Sequence, residues 1–170
     1  MIYKKLNDKG QISVELLFLI SFTIILAVIL SNTVSESYEL NLAMEAARQG
    51  AYEGISSNGL AIYPKDSYDN YSKDYKKYSL TNKKNIKIIK ITESNKGKDS
   101  FNKTRLQLKV YASSPEIKTK EERESAGDRI NYNLRKSITN AFNSENITNR
   151  LFNPAYSNRY SFTTANVEWV

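Results

Sequence analysis

The fold is decided by residues 9–30, which read KGQISVELLFLISFTIILAVIL. This stretch is almost purely aliphatic from Leu16 to Leu30, whereas the mean hydropathy of the whole chain is only -0.55. The apolar run from Ile12 to Val34 reaches roughly 35 Å as a helix, and a hydrocarbon core is about 30 Å thick. The sequence therefore predicts one membrane-spanning helix close to the N-terminus.

The charges on either side of the apolar run indicate its orientation. Basic residues precede the run and acidic residues follow it: Lys4, Lys5 and Lys9 on one side, Glu36, Glu39 and Glu45 on the other. An ordinary secretory signal would end in a small-x-small cleavage site, but residues 31–34 continue into a helical pattern. By the positive-inside rule we expect a single-pass membrane protein with a cytoplasmic N-terminus and an external head.

Glu15 does not suit a plain membrane anchor. An ionised carboxylate costs about 2.5 to 3.5 kcal/mol near the bilayer centre and less near an end. Cleavage of the Gly10–Gln11 bond would create an α-amino group, with a pKa near ~8, one helical turn from Glu15 or within reach from a neighbouring chain. Two alternatives stay open: Glu15 reaches the headgroups beside an uncleaved anchor, or Gln11 cyclises and loses its charge.

The residues around this bond carry a recognisable motif. Lys9, Gly10, Gln11, Ile12, Ser13, Val14, Glu15, Leu16 and Leu17 resemble the class III signal peptide of archaeal type IV pilins, with its Gln-x-Ser-x-Glu-x-Leu signature. The resemblance implies that a prepilin peptidase cleaves between Gly10 and Gln11. It also implies a processing and assembly motif formed by Lys9, Gln11, Ser13, Glu15 and Leu17. The apolar helix would then pack against other pilin subunits in a filament core.

The domain organisation follows from the helical pattern, which continues past the membrane through Val34, Tyr38, Leu42, Ala46 and Ile55. We expect one helix from Gln11 to about Ser57. The predicted segments are a basic leader over 1–10, a membrane-spanning and polymerisation helix over 11–34, its amphipathic continuation over 35–60, and an extracytoplasmic head over 61–170.

The head combines strand and helix signals. A Tyr-rich loop over 64–84 precedes a predicted hairpin, with a bulge after Ile88, a turn through 94–101, and a second strand in which Leu106 and Leu108 alternate with polar residues. A helix opens at Pro115, and a final strand covers 159–170. The expected fold class is α+β, with the long N-terminal helix packed on a small antiparallel sheet beside an additional helix, as in pilins.

Composition excludes most catalytic chemistry. The chain has no Cys and no His, so thiol nucleophiles, imidazole bases and most zinc sites are absent. No phosphate-binding Gly-rich loop, nucleophile elbow or catalytic carboxylate pair occurs. We expect no enzyme activity, no cofactor and no metal site. The net charge of +7 is interpreted as a solvated surface, so nucleic acid is not an expected partner.

Three Asn-x-Ser/Thr triplets make N-glycosylation of the external head a hypothesis, at Asn70, Asn102 and Asn146. The leading functional hypothesis is structural: a minor pilin or pilin-like protein that displays its head on an archaeal type IV pilus-like surface filament for adhesion. The alternative is a single-span surface protein or pseudopilin whose basic, Tyr-rich head binds a ligand or nucleic acid.

Overall fold

A computed structural model describes the chain over residues 8–56 and 85–170, with side chains from Ser13 onward. Two predictions lie outside these ranges, namely the Tyr-rich loop over 64–84 with Asn70, and most of the basic leader. The elements are α1 (Asp8–Ser56), β1 (Lys87–Lys98), β2 (Thr104–Ser113), α2 (Lys120–Ala141), a 3-10 helix (Glu145–Ile147), β3 (Ala155–Tyr156), β4 (Tyr160–Thr164) and β5 (Glu168–Trp169). The α+β class is confirmed, and the layout is pilin-like.

The predicted N-terminal helix is confirmed, since Asp8–Ser56 forms one continuous helix. From Ser13 it is long and apolar enough to cross a membrane by length and composition, and its most apolar 18-residue window has a mean hydropathy of 2.6. Three hydroxyl groups in this segment donate to backbone carbonyls one turn earlier: Ser21 to Leu17 and Thr23 to Ile20 at 2.8 Å, and Thr33 to Ile29 at 3.2 Å. These three groups are thereby satisfied without water.

The chain divides into two compact units, one ending at Tyr38 and the other beginning at Glu39. The second unit contains a five-stranded sheet in the order β1-β2-β4-β3, with β5 also paired to β2. The sheet is mixed, which corrects the expectation of a purely antiparallel one. β1 and β3 pair antiparallel with their neighbours, whereas β4 and β5 both run parallel to β2. The reason is that α2 lies between β2 and β4 in the chain, and such a crossover returns the chain in the same direction.

The β1–β2 hairpin is confirmed, together with its bulge. The register shifts between Ile88 and Lys90, where the alternation of apolar residues slips. β1 continues to Lys98, so the turn occupies 99–103 and lies later than the sequence suggests. Gly97, at φ 85, lies in a second irregularity between Asn95 and Lys98.

Helix α2 begins later than Pro115, because Thr119 and Glu122 form a capping box at its N-terminus. Its predicted apolar face is confirmed, since Ile130, Leu134 and Ile138 are all fully buried. These residues and the apolar face of β2 belong to one core cluster in the part of the chain that the structure describes.

The part of α1 in the second unit contributes small residues to this core: Ala43, Ala46, Ala47 and Ala51 are all buried. Two glycines face the backbone of α2 directly. A Cβ atom at Gly50 would lie 2.3 Å from the carbonyl oxygen of Asn133, and one at Gly54 would lie 2.8 Å from the Cα of Ile130. The buried face is therefore made of Ala and Gly. The predicted stripe is only partly buried: Ala46 is buried and Leu42 and Ile55 are half-buried, whereas the side chains of Val34 and Tyr38 are 66% exposed.

Candidate functional site

The residues of the processing motif lie in the first turns of α1. Gly10 and Gln11 are part of the helix, which begins at Asp8, and the side chains of Ser13, Glu15 and Leu17 are exposed. Residues 11 and 15 are four positions apart, which is about one turn of an α-helix. An amine created at Gln11 would therefore be placed on the same helix face as the carboxylate of Glu15.

An exposed apolar surface follows the motif. The large aliphatic and aromatic side chains from Val14 to Leu30 are between 45% and 70% exposed. They surround the helix on every side. A surface of this extent is unfavourable in water, and membranes or the helices of partner proteins are the environments that cover it.

A buried carboxylate lies at the start of the second unit. Glu39 is only 7% exposed, and its Oε2 accepts hydrogen bonds from the Ser157 hydroxyl at 2.8 Å and from the backbone N–H of Arg159 at 3.1 Å. The Arg159 Nε lies 3.7 Å from the other oxygen. Glu39 thus attaches α1 to the short connection between β3 and β4.

Sequence reasoning missed this role, because Glu39 was grouped with the exposed acids that follow the apolar run. A signal was present. Glu39 is in helical phase with Ala43, Ala47, Gly50 and Gly54, all of which are buried. A carboxylate in line with a small-residue stripe has to find hydrogen-bond donors inside the fold.

The same connection contacts the β1–β2 turn. The Lys103 ammonium donates to the carbonyl oxygen of Ser157, and also to that of Asn158 at 3.0 Å. Asp99 closes the turn, because its Oδ1 accepts from the backbone N–H groups of Phe101 and Lys103, each at 2.9 Å. Burial raises the pKa of Asp99, but the Ser161 hydroxyl and these N–H groups outweigh it, so the pKa lies below its ordinary value.

The side of the sheet opposite the core carries polar residues. In β2, Arg105, Gln107, Lys109 and Tyr111 alternate with buried apolar residues and therefore point away from the core. We define the outer sheet face as these four residues and the partners that share their register: Lys90, Thr92 and Ser94 on β1, Thr163 on β4 and Glu168 on β5. Tyr156 on β3 is included because it pairs with Ser161, which is the β4 partner of Arg105.

Two groups of aromatic rings and cations lie on or beside this face. The Nζ atoms of Lys90 and Lys109 lie 4.5 and 5.4 Å from the centroid of the Tyr111 ring. In the second group, the Lys103 Nζ lies 5.8 Å from the centroid of Tyr156, and the ring of Phe101 meets Tyr156 edge-on at 6.4 Å. Phe101 is 70% exposed. Each group therefore places a positive charge beside an aromatic surface.

One carboxylate moderates the positive charge. Glu168 lies 2.8 Å from the Nζ of Lys109. Their hydrogen bond and mutual attraction raise the pKa of Lys109 and lower the pKa of Glu168, so both stay charged near neutral pH. Lys90 and Arg105, both exposed, carry the remaining positive charge of the outer sheet face.

No protein-family model, curated protein or solved structure matches this chain. Function is therefore argued from the motif and from the geometry above. Over 8–56 and 85–170, acidic side chains nowhere gather in a group of three or more that could hold a metal ion.

Two of the three predicted glycosylation sites are within the described ranges. Asn102 is exposed in the β1–β2 turn at φ 60, and its Oδ1 accepts from the Lys98 ammonium at 2.9 Å. Asn146 is exposed in the 3-10 helix, and the hydroxyl of its Thr148 donates to the Pro154 carbonyl at 2.5 Å. Both asparagines are exposed to solvent.

Proposed function

We propose that this chain is a structural subunit, specifically a minor pilin or pilin-like protein, of an archaeal type IV pilus-like surface filament. A prepilin peptidase cleaves the precursor between Gly10 and Gln11. The precursor spans the cell membrane once with its N-terminus in the cytoplasm, and the processed subunit joins a filament on the cell surface, where its head serves adhesion.

The observation that carries this proposal is the position of Glu15 at the start of an exposed apolar helix. The carboxylate lies one turn from the peptide bond that the motif marks for cleavage. Cleavage would supply a cation able to neutralise it during assembly, either within one chain or between neighbours. The apolar surface from Val14 to Leu30 would be covered first by lipid and then by the helices of other subunits.

The first experiment measures the intact mass of the protein after co-expression with a prepilin peptidase. The expected result is loss of Met1 through Gly10, and a Gly10→Leu variant should keep its full mass. Gly97→Ala is the matched control, because it changes a glycine outside the helix and should leave cleavage unchanged. A Gly10→Leu variant that is still cleaved at the same bond would count against the proposal.

The second experiment separates cleavage from assembly. A Glu15→Leu variant should lose the leader normally, because Gly10 and Gln11 are intact. It should then remain in the membrane fraction and be missing from sheared filaments, since no carboxylate is left to pair with the new amine. Filaments that incorporate Glu15→Leu at the wild-type level would refute the electrostatic part of the proposal.

A second candidate is a single-span surface protein whose head binds a ligand and which never polymerises. The cations and rings of the outer sheet face favour it. Recovery of the native protein with Met1 still at its N-terminus, and only in membranes, would support this candidate over the filament subunit.

A further inference from the structure

The outer sheet face differs from an ordinary solvated surface in how its charges are arranged. Lys90 and Lys109 come from different strands, yet both ammonium groups lie within 5.4 Å of the centroid of one ring, Tyr111. Two like charges beside one ring repel each other, and among the described residues Glu168 offsets one of them, at 2.8 Å from the Nζ of Lys109. An anionic group beside the exposed Lys90 would offset the other.

The aromatic rings indicate what kind of anion fits. Tyr111 lies at one end of the face. Tyr156, Phe101 and Lys103 lie at the other end, level with Arg105. Arg105 and Tyr111 are six positions apart on β2, which corresponds to roughly 20 Å at about 3.4 Å per residue. At the duplex spacing of about 3.4 Å per nucleotide this distance corresponds to roughly six nucleotides, and an unstacked, more extended strand covers it with fewer.

The residues between the two aromatic groups are suitable for the same ligand. Arg105 is exposed and charged; one Nη donates to the Lys96 carbonyl at 3.2 Å, and the other N–H groups of the guanidinium can donate to a phosphate. Further along the face, Ser94 and Thr163 pair in register with Gln107, and Thr92 pairs with Lys109, so that amide and hydroxyl groups able to bond base edges or sugars lie between the two aromatic groups. Cations beside aromatic rings on a sheet surface are the combination by which proteins hold single strands.

We propose that the outer sheet face binds single-stranded nucleic acid. Phosphates lie against Lys90, Lys109 and Arg105, and unstacked bases lie on Phe101 and Tyr156 at one end and on Tyr111 at the other. A duplex is a poorer ligand, because its bases are already stacked and offer no free ring surface. The composition alone did not favour this partner, since lysines spread along the sequence do not reveal that they converge on one ring.

Binding is measured with the full chain in neutral detergent, by fluorescence anisotropy of a labelled oligothymidylate of about 12 nucleotides. The variant Lys90→Ala/Lys109→Ala should bind about tenfold more weakly. It should also reduce the slope of log affinity against log salt by about 1.4, which is about 0.7 for each lost phosphate contact. The matched control, Lys118→Ala/Lys120→Ala, removes the same charge from exposed residues before and at the start of α2 and should bind like the wild type.

A second variant tests the stacking part without changing charge. Phe101 is 70% exposed, so Phe101→Ser should leave folding intact while weakening binding about fivefold or more. Wild-type affinity in the double lysine variant would overturn the proposal. The proposal would also be overturned if a duplex and an acidic polysaccharide bound as tightly as the single strand and Phe101→Ser had no effect. The face would then attract any polyanion.

This proposal does not rest on polymerisation. The lysine and phenylalanine variants leave Gly10, Gln11 and Glu15 unchanged, so cleavage and filament assembly should proceed in them as in the wild type. Loss of binding with normal filaments, or normal binding without filaments, distinguishes the two proposals.

Discussion

The two parts of α1 show how side-chain size selects what a helix packs against. Between Val14 and Leu30 the helix presents large aliphatic and aromatic side chains, all at least 45% exposed. Between Ala43 and Gly54, in the second unit, it presents alanines and glycines that are buried. Small residues allow two backbones to approach closely, whereas large apolar ones need lipid or interdigitating partners.

The difference also separates what each part does. The close approach of Gly50 and Gly54 to α2 secures the head, which is stabilised within the chain itself. The apolar part buries none of its most hydrophobic window within the chain. Its stabilisation must come from outside the monomer, and this agrees with its proposed function in the membrane and then in a filament.

The largest expected effect is at Gly50. In Gly50→Val the new Cβ would lie 2.3 Å from the carbonyl oxygen of Asn133 and 2.7 Å from the Cα of Leu134. Both are backbone atoms, so no side-chain rotation can relieve the clash. We expect the free energy of unfolding to fall by about 3 kcal/mol or more. Denaturant unfolding in neutral detergent, followed by the fluorescence of Trp169, the single tryptophan, measures this change.

Two controls sharpen the comparison. Gly97→Ala meets no atom within 4 Å and should cost only about 1 kcal/mol, from its positive φ. Leu26→Ala removes a large side chain from the apolar part, where it is 45% exposed, and should leave head unfolding unchanged. If Leu26→Ala destabilised the head as much as Gly50→Val, the two parts of α1 would not differ as argued.

An intermediate effect is expected at Glu39. Glu39→Gln removes the negative charge of a side chain that accepts hydrogen bonds from the Ser157 hydroxyl and the Arg159 backbone N–H inside the fold. Because hydrogen bonds to charged groups contribute about 1.5 to 3 kcal/mol, we expect the free energy of unfolding to fall by about 2 kcal/mol. The same unfolding experiment measures it.

Glu45→Gln is the matched control, since Glu45 is exposed and pairs with Arg48 at 3.8 Å on the surface of the same helix. Its cost should be below about 0.5 kcal/mol. Equal effects of the two substitutions would show that burial of Glu39 does not matter for stability.

The smallest expected effect is a pH dependence at Asp99. Its pKa is lowered in the folded state, so ionised Asp99 stabilises the fold above its unfolded pKa, near 3.8, and this contribution is lost as pH falls through the lower, folded pKa. Asp99→Asn keeps an acceptor for the N–H groups of Phe101 and Lys103 but does not titrate. The stability difference between wild type and Asp99→Asn should be constant near neutral pH and shrink below about pH 4.

Thermal unfolding of both proteins over a pH series checks this prediction, with Trp169 as the reporter. A stability difference that grew as the pH fell would mean that the pKa of Asp99 is raised in the fold. That result would contradict the claim that the ionised Asp99 carboxylate stabilises the β1–β2 turn.

Local patterns predicted much of this architecture. The uninterrupted apolar run predicted α1, the phase slip after Ile88 predicted the bulge, and the spacing of Ile130, Leu134 and Ile138 predicted the buried face of α2. Each of these depends on neighbours within a few positions, and such patterns are governed by backbone geometry and by contact with one solvent or one core.

The wrong predictions concern pairing between distant segments. The prediction of an antiparallel sheet was wrong because strand direction depends on the path of α2 between β2 and β4. The predicted stripe of α1 was wrong at Val34 and Tyr38, which are exposed, because hydrophobicity points to large residues, whereas close packing against α2 requires Ala and Gly. The convergence of Lys90 and Lys109 on Tyr111 depends on the register of two strands and has no local signature.

The apolar helix, the motif around Gly10 and Gln11 and the position of Glu15 within it follow from one continuous stretch of chain. The burial of Glu39 against Ser157 and the shared position of cations and rings on the outer sheet face depend instead on how distant segments pack. The physical reason is that a helix in an apolar solvent is specified by adjacent residues, whereas buried charges and shared surfaces are specified by segments that meet only after folding.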